Sequence, residues 1–253
     1  MWQGKRLSVV LPAFNEALHI SQAIQEFGSM GAADEILVVD NNSTDDTAER
    51  ARQAGARVVQ ESRQGYGHAC RRGLQEARGD LIVLTEPDGT FLGKDLSKLL
   101  AYADDFQLVL GTRTSRLFIW EGANMYWFLR WGNWAVAKML QFLFNGPSLT
   151  DVGCTMRLIH RSALERMDRQ FTVGGSHFSP EMMILALLHR IPMVEVPVNY
   201  CARVGQSKIT GQLDRAIRVG LSMVGLIARY RLTHRGFHAS SGSQRTMTLR
   251  REG

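Results

Sequence analysis

The chain has 253 residues, 45% hydrophobic and 21% charged, with a formal net charge of +6. That is enough for one large domain, or one domain with an appendage, around a substantial apolar core. Three scattered cysteines, Cys70, Cys154 and Cys201, exclude a cysteine-rich zinc module and fit a reduced, cytosolic protein. No basic region followed by an apolar core stands at the start, so no signal peptide is expected, and no apolar run is long and clean enough to span a bilayer. The positive charge suits anionic partners: nucleotides, phosphates, an anionic membrane face. Its basic residues are scattered and no recognition motif occurs, so nucleic acid is not an expected partner.

Residues 7–12 (LSVVLP) read as a buried strand, followed by a helix over about 16–27. Residues 35–40 (EILVVD) are a second strand; NNSTDDTAERARQAG then supplies a cap at Ser43 or Thr44, a helix and a terminal glycine. Residues 56–60 are a third strand and 65–79 a third helix, its Gly65 and Gly67 allowing close approach to a ligand or a neighbouring backbone. Residues 80–84 are a fourth strand running into Glu86-Pro87-Asp88, and 106–113 a fifth. Short apolar strands between helices predict an α/β fold with a mostly parallel sheet covered on both faces. An aromatic segment over 117–146 follows, interrupted by Glu121, Arg130 and Lys138. Then come a helix over 179–190, a strand over 193–200, an arginine-flanked helix over 215–232, and a polar, Ser/Arg-rich stretch that reads as a mobile tail over 233–253.

In such sheets ligands bind beyond the carboxyl ends of the strands, and polar groups collect there. Residues i and i+2 of an extended chain share a side, so Glu86 and Asp88 can converge on one point. Two such oxygens suit Mg²⁺ or Mn²⁺, although Pro-Asp-Gly is also ordinary turn chemistry. Asp40, ending the second strand, is placed to accept from a ribose hydroxyl or a base N–H. Arg113 reads as a phosphate clamp or a solvated charge. Arg203, Ser207 and Lys208 form a polar loop of the kind that closes on a diphosphate. No Walker lysine motif, nucleophile elbow or zinc-spaced histidine pair occurs, and Gly65-Tyr66-Gly67 is a poor dinucleotide fingerprint.

Taken together, VVLPAFNEA, VVDNNSTDDT, GYGHACRRGLQEARGD, TEPDGTF, GTR and DVGCTMRL resemble, in order and spacing, the family 2 glycosyltransferases with the GT-A fold, over roughly residues 7–230. The resemblance is to the dolichyl-phosphate mannosyltransferase and polyprenyl-phosphate glycosyltransferase branch. It implies a domain over 1–232, with a donor-binding half to about 115 and an acceptor half beyond. It implies nucleotide-sugar contacts from Pro12, Phe14, Glu16, Val38, Asp40, Pro87, Arg113 and Lys208, metal contacts from Glu86 and Asp88, and catalytic roles for Asp88, Arg203 and Glu181. TEPDGTF stands where the family has Asp-x-Asp, with Glu in the first place. Many inverting members carry a Glu-Asp pair on a late helix, with the aspartate as base; here Glu181 is followed by Met182. A phosphate acceptor is already anionic and needs no base.

The resulting expectation is metal-dependent, inverting transfer of a sugar from a GDP-mannose or UDP-glucose type donor to a polyprenyl-phosphate-like lipid. The enzyme would be peripheral on the cytoplasmic membrane face, with Trp120, Trp127, Trp131 and Trp134 at the interface; the same aromatic segment also suits a homo-oligomer contact. The alternatives are a soluble hydroxyl acceptor with Glu181 as base, a nucleotidyltransferase, and a non-catalytic nucleotide-sugar binder.

Overall fold

A computed structural model describes residues 1–123, 127–204 and 213–234. The strands are β1 (Leu7–Ala13), β2 (Glu35–Asp40), β3 (Arg57–Gln60), β4 (Leu81–Leu84), β5 (Leu108–Thr112), β6 (Arg157–His160) and β7 (Met193–Pro197). The helices are α1 (Ile20–Ser29), α2 (Thr47–Gln53), α3 (Tyr66–Glu76), α4 (Leu96–Ala101), α5 (Trp127–Phe144), α6 (Arg161–Met167), α7 (Phe178–Leu188) and α8 (Leu213–Thr233).

The strands form one sheet in the order β3-β2-β1-β4-β6-β5-β7. Every pairing is parallel except those of β6, which runs antiparallel to both β4 and β5. Side-chain alternation divides the core. Val10, Leu37, Val39, Ile82 and Leu84 face the layer containing α3, α5 and α7. Leu7, Val9, Leu11, Val38 and Val83 face α1 and α4. Burial on both faces explains why these strands read as continuous apolar runs.

Register positions the site. Ala13 pairs with Asp40, and Val10 with Leu84, so the chain leaves β1, β2 and β4 at one edge. Through antiparallel β6, strands β5 and β7 run the same way, and Arg113 and Tyr200 follow their carboxyl ends at that edge. β6 and β7 lie in the same sheet as the strands of the amino-terminal half, so the two halves share one core.

The alternating strand–helix reading is borne out, with three additions. Helices α4 and α6 and strand β6 were not expected; β6 is four residues long, begins with Arg157 and ends with His160. The expected cap at Ser43 or Thr44 is also corrected. The helix starts later, at Thr47, whose N–H bonds Asp45 Oδ1 at 3.0 Å. Ser43 and Thr44 instead bind Asn15 across the sheet edge: Asn15 N–H donates to Ser43 Oγ at 3.0 Å, and Thr44 N–H to Asn15 Oδ1 at 2.8 Å.

Candidate active site

Those bonds fix the first turn of the site. Asn15 adopts φ +57°, a left-handed conformation that asparagine tolerates better than most residues, and Glu16 N–H donates to Thr47 Oγ1 at 2.8 Å. Phe14 and Glu16 are thereby held at the end of β1. Asn41, just past β2, organises the next turn: its amide donates to the Glu61 and Arg63 carbonyls at 2.9 and 2.8 Å and accepts from Gly65 N–H at 2.8 Å.

The turn after β4 is held as tightly. Asp88 is buried, and its Oδ1 accepts from the backbone and hydroxyl of Thr90 at 3.0 and 2.6 Å. The Pro87 carbonyl accepts from His19 Nδ1 at 3.0 Å. Cys201 N–H donates to Thr90 O, and Val204 N–H to Asp88 O, both at 2.9 Å, so the segment after β7 lies along this turn. Arg203 is thus brought 3.0 Å from Asp88 Oδ2 through Nη1, and it pairs with Glu16 through Nη2. Glu86 is half-buried, and its carboxyl is pushed up to about 8 by burial and by the adjacent Asp88 charge, against the pull of Arg203 and Arg113.

Arg113 is pinned from below. Asp151 accepts from its Nε and Nη2 at 2.9 Å each and from its backbone N–H at 3.0 Å. Burial pushes the Asp151 carboxyl up, but Arg113 outweighs it and holds the group below the usual carboxylate range. Glu195 on β7 secures this base by accepting from the backbone of Thr150 and Asp151. The Tyr200 ring covers Arg113, 5.1 Å away.

These groups line one cavity of about 770 Å³. Pro12, Phe14, Glu16, Glu86, Pro87, Asp88, Arg113 and Arg203, all expected from the sequence, are in its wall. The same wall includes Phe128, Leu129 and Val136 of α5 and Ile217, Met223 and Val224 of α8. Sequence reasoning missed Asn41, Tyr66, Asn133 and Tyr200 in the wall, and Asp151 behind it. Asn41 sits within the quoted VVDNNSTDDT motif, Tyr200 ends the last predicted strand, and Asp151 opens the quoted DVGCTMRL motif, which did not reveal its pairing with Arg113.

Three expected residues are outside this wall. Val38 is fully buried on the α1 side of the sheet. Asp40 shares its face by alternation, is 3% exposed, and accepts from Ser43 N–H at 3.2 Å. Glu181 is fully buried in α7, all of whose residues are buried. Its oxygens accept from Thr172 N–H and Oγ1 at 2.9 and 2.6 Å, Val173 N–H at 2.9 Å and Tyr230 Oη at 3.0 Å. The geometry makes it the anchor of residues 172–173 and not a group facing the cavity. That segment continues over the start of α3, where a side chain on Gly67 would stand 2.5 Å from the Val173 carbonyl. Lys208 lies outside the described residues. Among the described residues no group of three or more His, Cys, Asp or Glu could hold a metal ion; Glu86 and Asp88 are a pair of hard oxygen donors facing a cavity.

A mostly parallel sheet with acidic and cationic groups gathered past its carboxyl edge defines a protein that handles an anionic ligand there. Residues 8–168 match the family described as Glycosyl transferase family 2. The chain belongs to that family and is a glycosyltransferase. It is 30% identical to the low-salt glycan biosynthesis hexosyltransferase Agl6 of Haloferax volcanii over 88% of its length, and spans 58% of that protein. It is 29% identical to a dolichyl-phosphate hexose transferase of the same organism, over 89% of this chain and 96% of that one. The fold is GT-A: glucosyl-3-phosphoglycerate synthase from Mycobacterium tuberculosis, solved with Mn²⁺, uridine diphosphate and glucosyl-3-phosphoglycerate, superposes with a TM-score of 0.71. That match covers 94% of this chain and 82% of that one at 22% identity.

Proposed function

We propose that this glycosyltransferase moves a hexose, with inversion, from a GDP-mannose or UDP-glucose type donor to a polyprenyl-phosphate-like lipid, using Mg²⁺ or Mn²⁺. One observation carries the reading. One cavity is lined both by carboxylates and arginines and by apolar residues of α5 and α8. That lining suits an anionic donor together with an acceptor whose head is anionic and whose body is apolar. The name of the Haloferax relative, which couples dolichyl phosphate with a hexose, supports it, as does the Mn²⁺ and uridine diphosphate of the mycobacterial structure.

Glu86 and Asp88 would hold the divalent cation. The fit is chemical: two hard oxygen donors share a strand end, and Glu86 there prefers a positive partner, a proton up to about pH 8 or a metal in its place. When bound, the cation neutralises charge on the leaving diphosphate. Arg203 and Arg113 add positive charge at the same end, and Pro12, Phe14 and Asn41 flank the nucleotide. The acceptor phosphate oxygen attacks the anomeric carbon opposite the diphosphate; the new C–O bond forms as the bond to the diphosphate breaks. No side chain takes a proton, which agrees with the enclosure of Glu181 away from the cavity.

The lipid must be reached at a surface. Among the described residues no helix is long and apolar enough to cross a membrane. The outer faces of α5 and α8 expose Trp127, Trp131, Phe142 and Leu221 at 72%, 58%, 87% and 67%, a proportion that suits lying in an interface. The reading is tested by offering UDP- and GDP-hexoses with prenyl phosphate or prenyl alcohol, with Mn²⁺ or a chelator. A glycosylated phosphate, lost on chelation, is expected; transfer to the alcohol alone would sink it.

A further inference from the structure

The cavity wall contributed by α5 consists of Phe128, Leu129, Gly132, Asn133, Ala135 and Val136. Asn133 is its one polar side chain. It is half-buried, and among the described residues nothing is hydrogen-bonded to its carboxamide. Its carboxamide is not fully buried, so it is open to a polar group entering the cavity.

Its neighbours indicate what that is. Asn133 Oδ1 and Arg113 Nη2 crowd the same point, 2.6 and 2.9 Å from where a side chain on Gly153 would begin. Asp151 holds Arg113 at Nε and Nη2, so the arginine cannot swing away. The glycine keeps this space open between the two. Asp88, Arg203 and apolar residues of α5 and α8 line the same cavity.

We propose that Asn133 and Arg113 together hold the anionic head of the acceptor, which makes Asn133 a residue selecting phosphate over hydroxyl acceptors. The proposal rests on the lipid-phosphate reading above. Arg113 supplies charge; Asn133 supplies amide donors without placing a charge in the apolar wall while the cavity is empty. Rotation about χ2 turns its donors toward the phosphate. Asn133 makes and breaks no bond; it orients the attacking oxygen.

The test is steady-state kinetics with a short prenyl phosphate, beside direct binding of the nucleoside diphosphate. Asn133→Leu suits the apolar wall and should raise the prenyl phosphate KM roughly 10- to 100-fold, as for one hydrogen bond to a charged group, with nucleotide Kd unchanged. Asn133→Asp keeps the shape, sets a negative charge beside the anion, and should raise KM further than Leu does. Unchanged KM in both variants, or nucleotide affinity falling in step with acceptor affinity, overturns the proposal. Wild-type protein that uses prenyl alcohol and ignores prenyl phosphate overturns the lipid-phosphate reading itself, and the wild type alone reveals that.

Discussion

Arg203 Nη1 lies 3.0 Å from Asp88 Oδ2, although 114 residues separate the two in the chain. The contact joins the end of β4 to the segment after β7, and two backbone hydrogen bonds, Cys201 to Thr90 and Val204 to Asp88, hold the segments side by side. The negative group expected to face the metal and the positive group expected to face the diphosphate are thus set by one docking event. Asp88→Asn removes the charge but keeps the Thr90 bonds, so the fold should stand. Turnover should fall by at least about 100-fold, the scale of losing a main electrostatic contact. Glu86→Asp, which restores the family's own residue, should be tolerated. Near-normal turnover in Asp88→Asn would remove the metal from this pair.

Arg203→Ala should lower kcat more than it raises the donor KM, if the guanidinium chiefly stabilises charge that develops on the diphosphate. An effect on KM alone would reduce Arg203 to ground-state binding. Mutant and wild-type stopped-flow single turnovers separate the cases.

Glu86 gives the site a pH dependence. Burial and the Asp88 charge push it from 4.5 to about 8. A metal must displace that proton, so apparent Mn²⁺ affinity should rise about tenfold per pH unit up to about 8 and level off above. The sign for stability is the reverse. The folded state holds this proton more tightly than the unfolded chain, so the metal-free protein loses stability as pH rises from 4.5 to about 8. Calorimetric titration of Mn²⁺ from pH 6 to 9 checks the first slope, and Glu86→Gln should flatten it.

The exposed tryptophans should attach the protein to membranes. Sedimentation with anionic liposomes is expected at low salt, with release as ionic strength screens the surface potential. Replacing Trp127 and Trp131, both well exposed on α5, with serine should weaken attachment while leaving nucleotide binding intact. Wild-type protein that stays in the supernatant at low salt would remove the membrane from the account.

What was legible in the sequence follows the range of the interactions involved. The β1, β2 and β4 runs are apolar on both faces and could be read directly, and the i, i+2 spacing placed Glu86 and Asp88 together. The face that Asp40 takes was not legible, because a position at a strand end says nothing of it; its Oδ1 accepts from Ser43 N–H. Arg113 was legible as a strand-end cation, but its Asp151 partner comes 38 residues later. β6 escaped because a strand of four residues that begins with Arg157 and ends with His160 carries too little alternation to detect.

Glu181 shows the same limit on a catalytic expectation. Its helix could be predicted, but the four bonds that enclose it come from Thr172, Val173 and Tyr230, and Tyr230 lies 49 residues away. A general base lost to substitution costs about 10²–10⁴-fold in rate. An anchor costs stability instead. Glu181→Gln turns an amide toward donors that need an acceptor, which should cost about 1–3 kcal/mol for the unsatisfied group, or roughly 2–12 °C in Tm at this size. Tyr230→Phe removes one of the four bonds and should cost less, about 1 kcal/mol. Assayed well below the melting point with prenyl phosphate, both variants should turn over within about tenfold of wild type, far above a base deletion. A loss of 10³-fold in Glu181→Gln with unchanged Tm would return the carboxylate to the chemistry, and with it a hydroxyl acceptor.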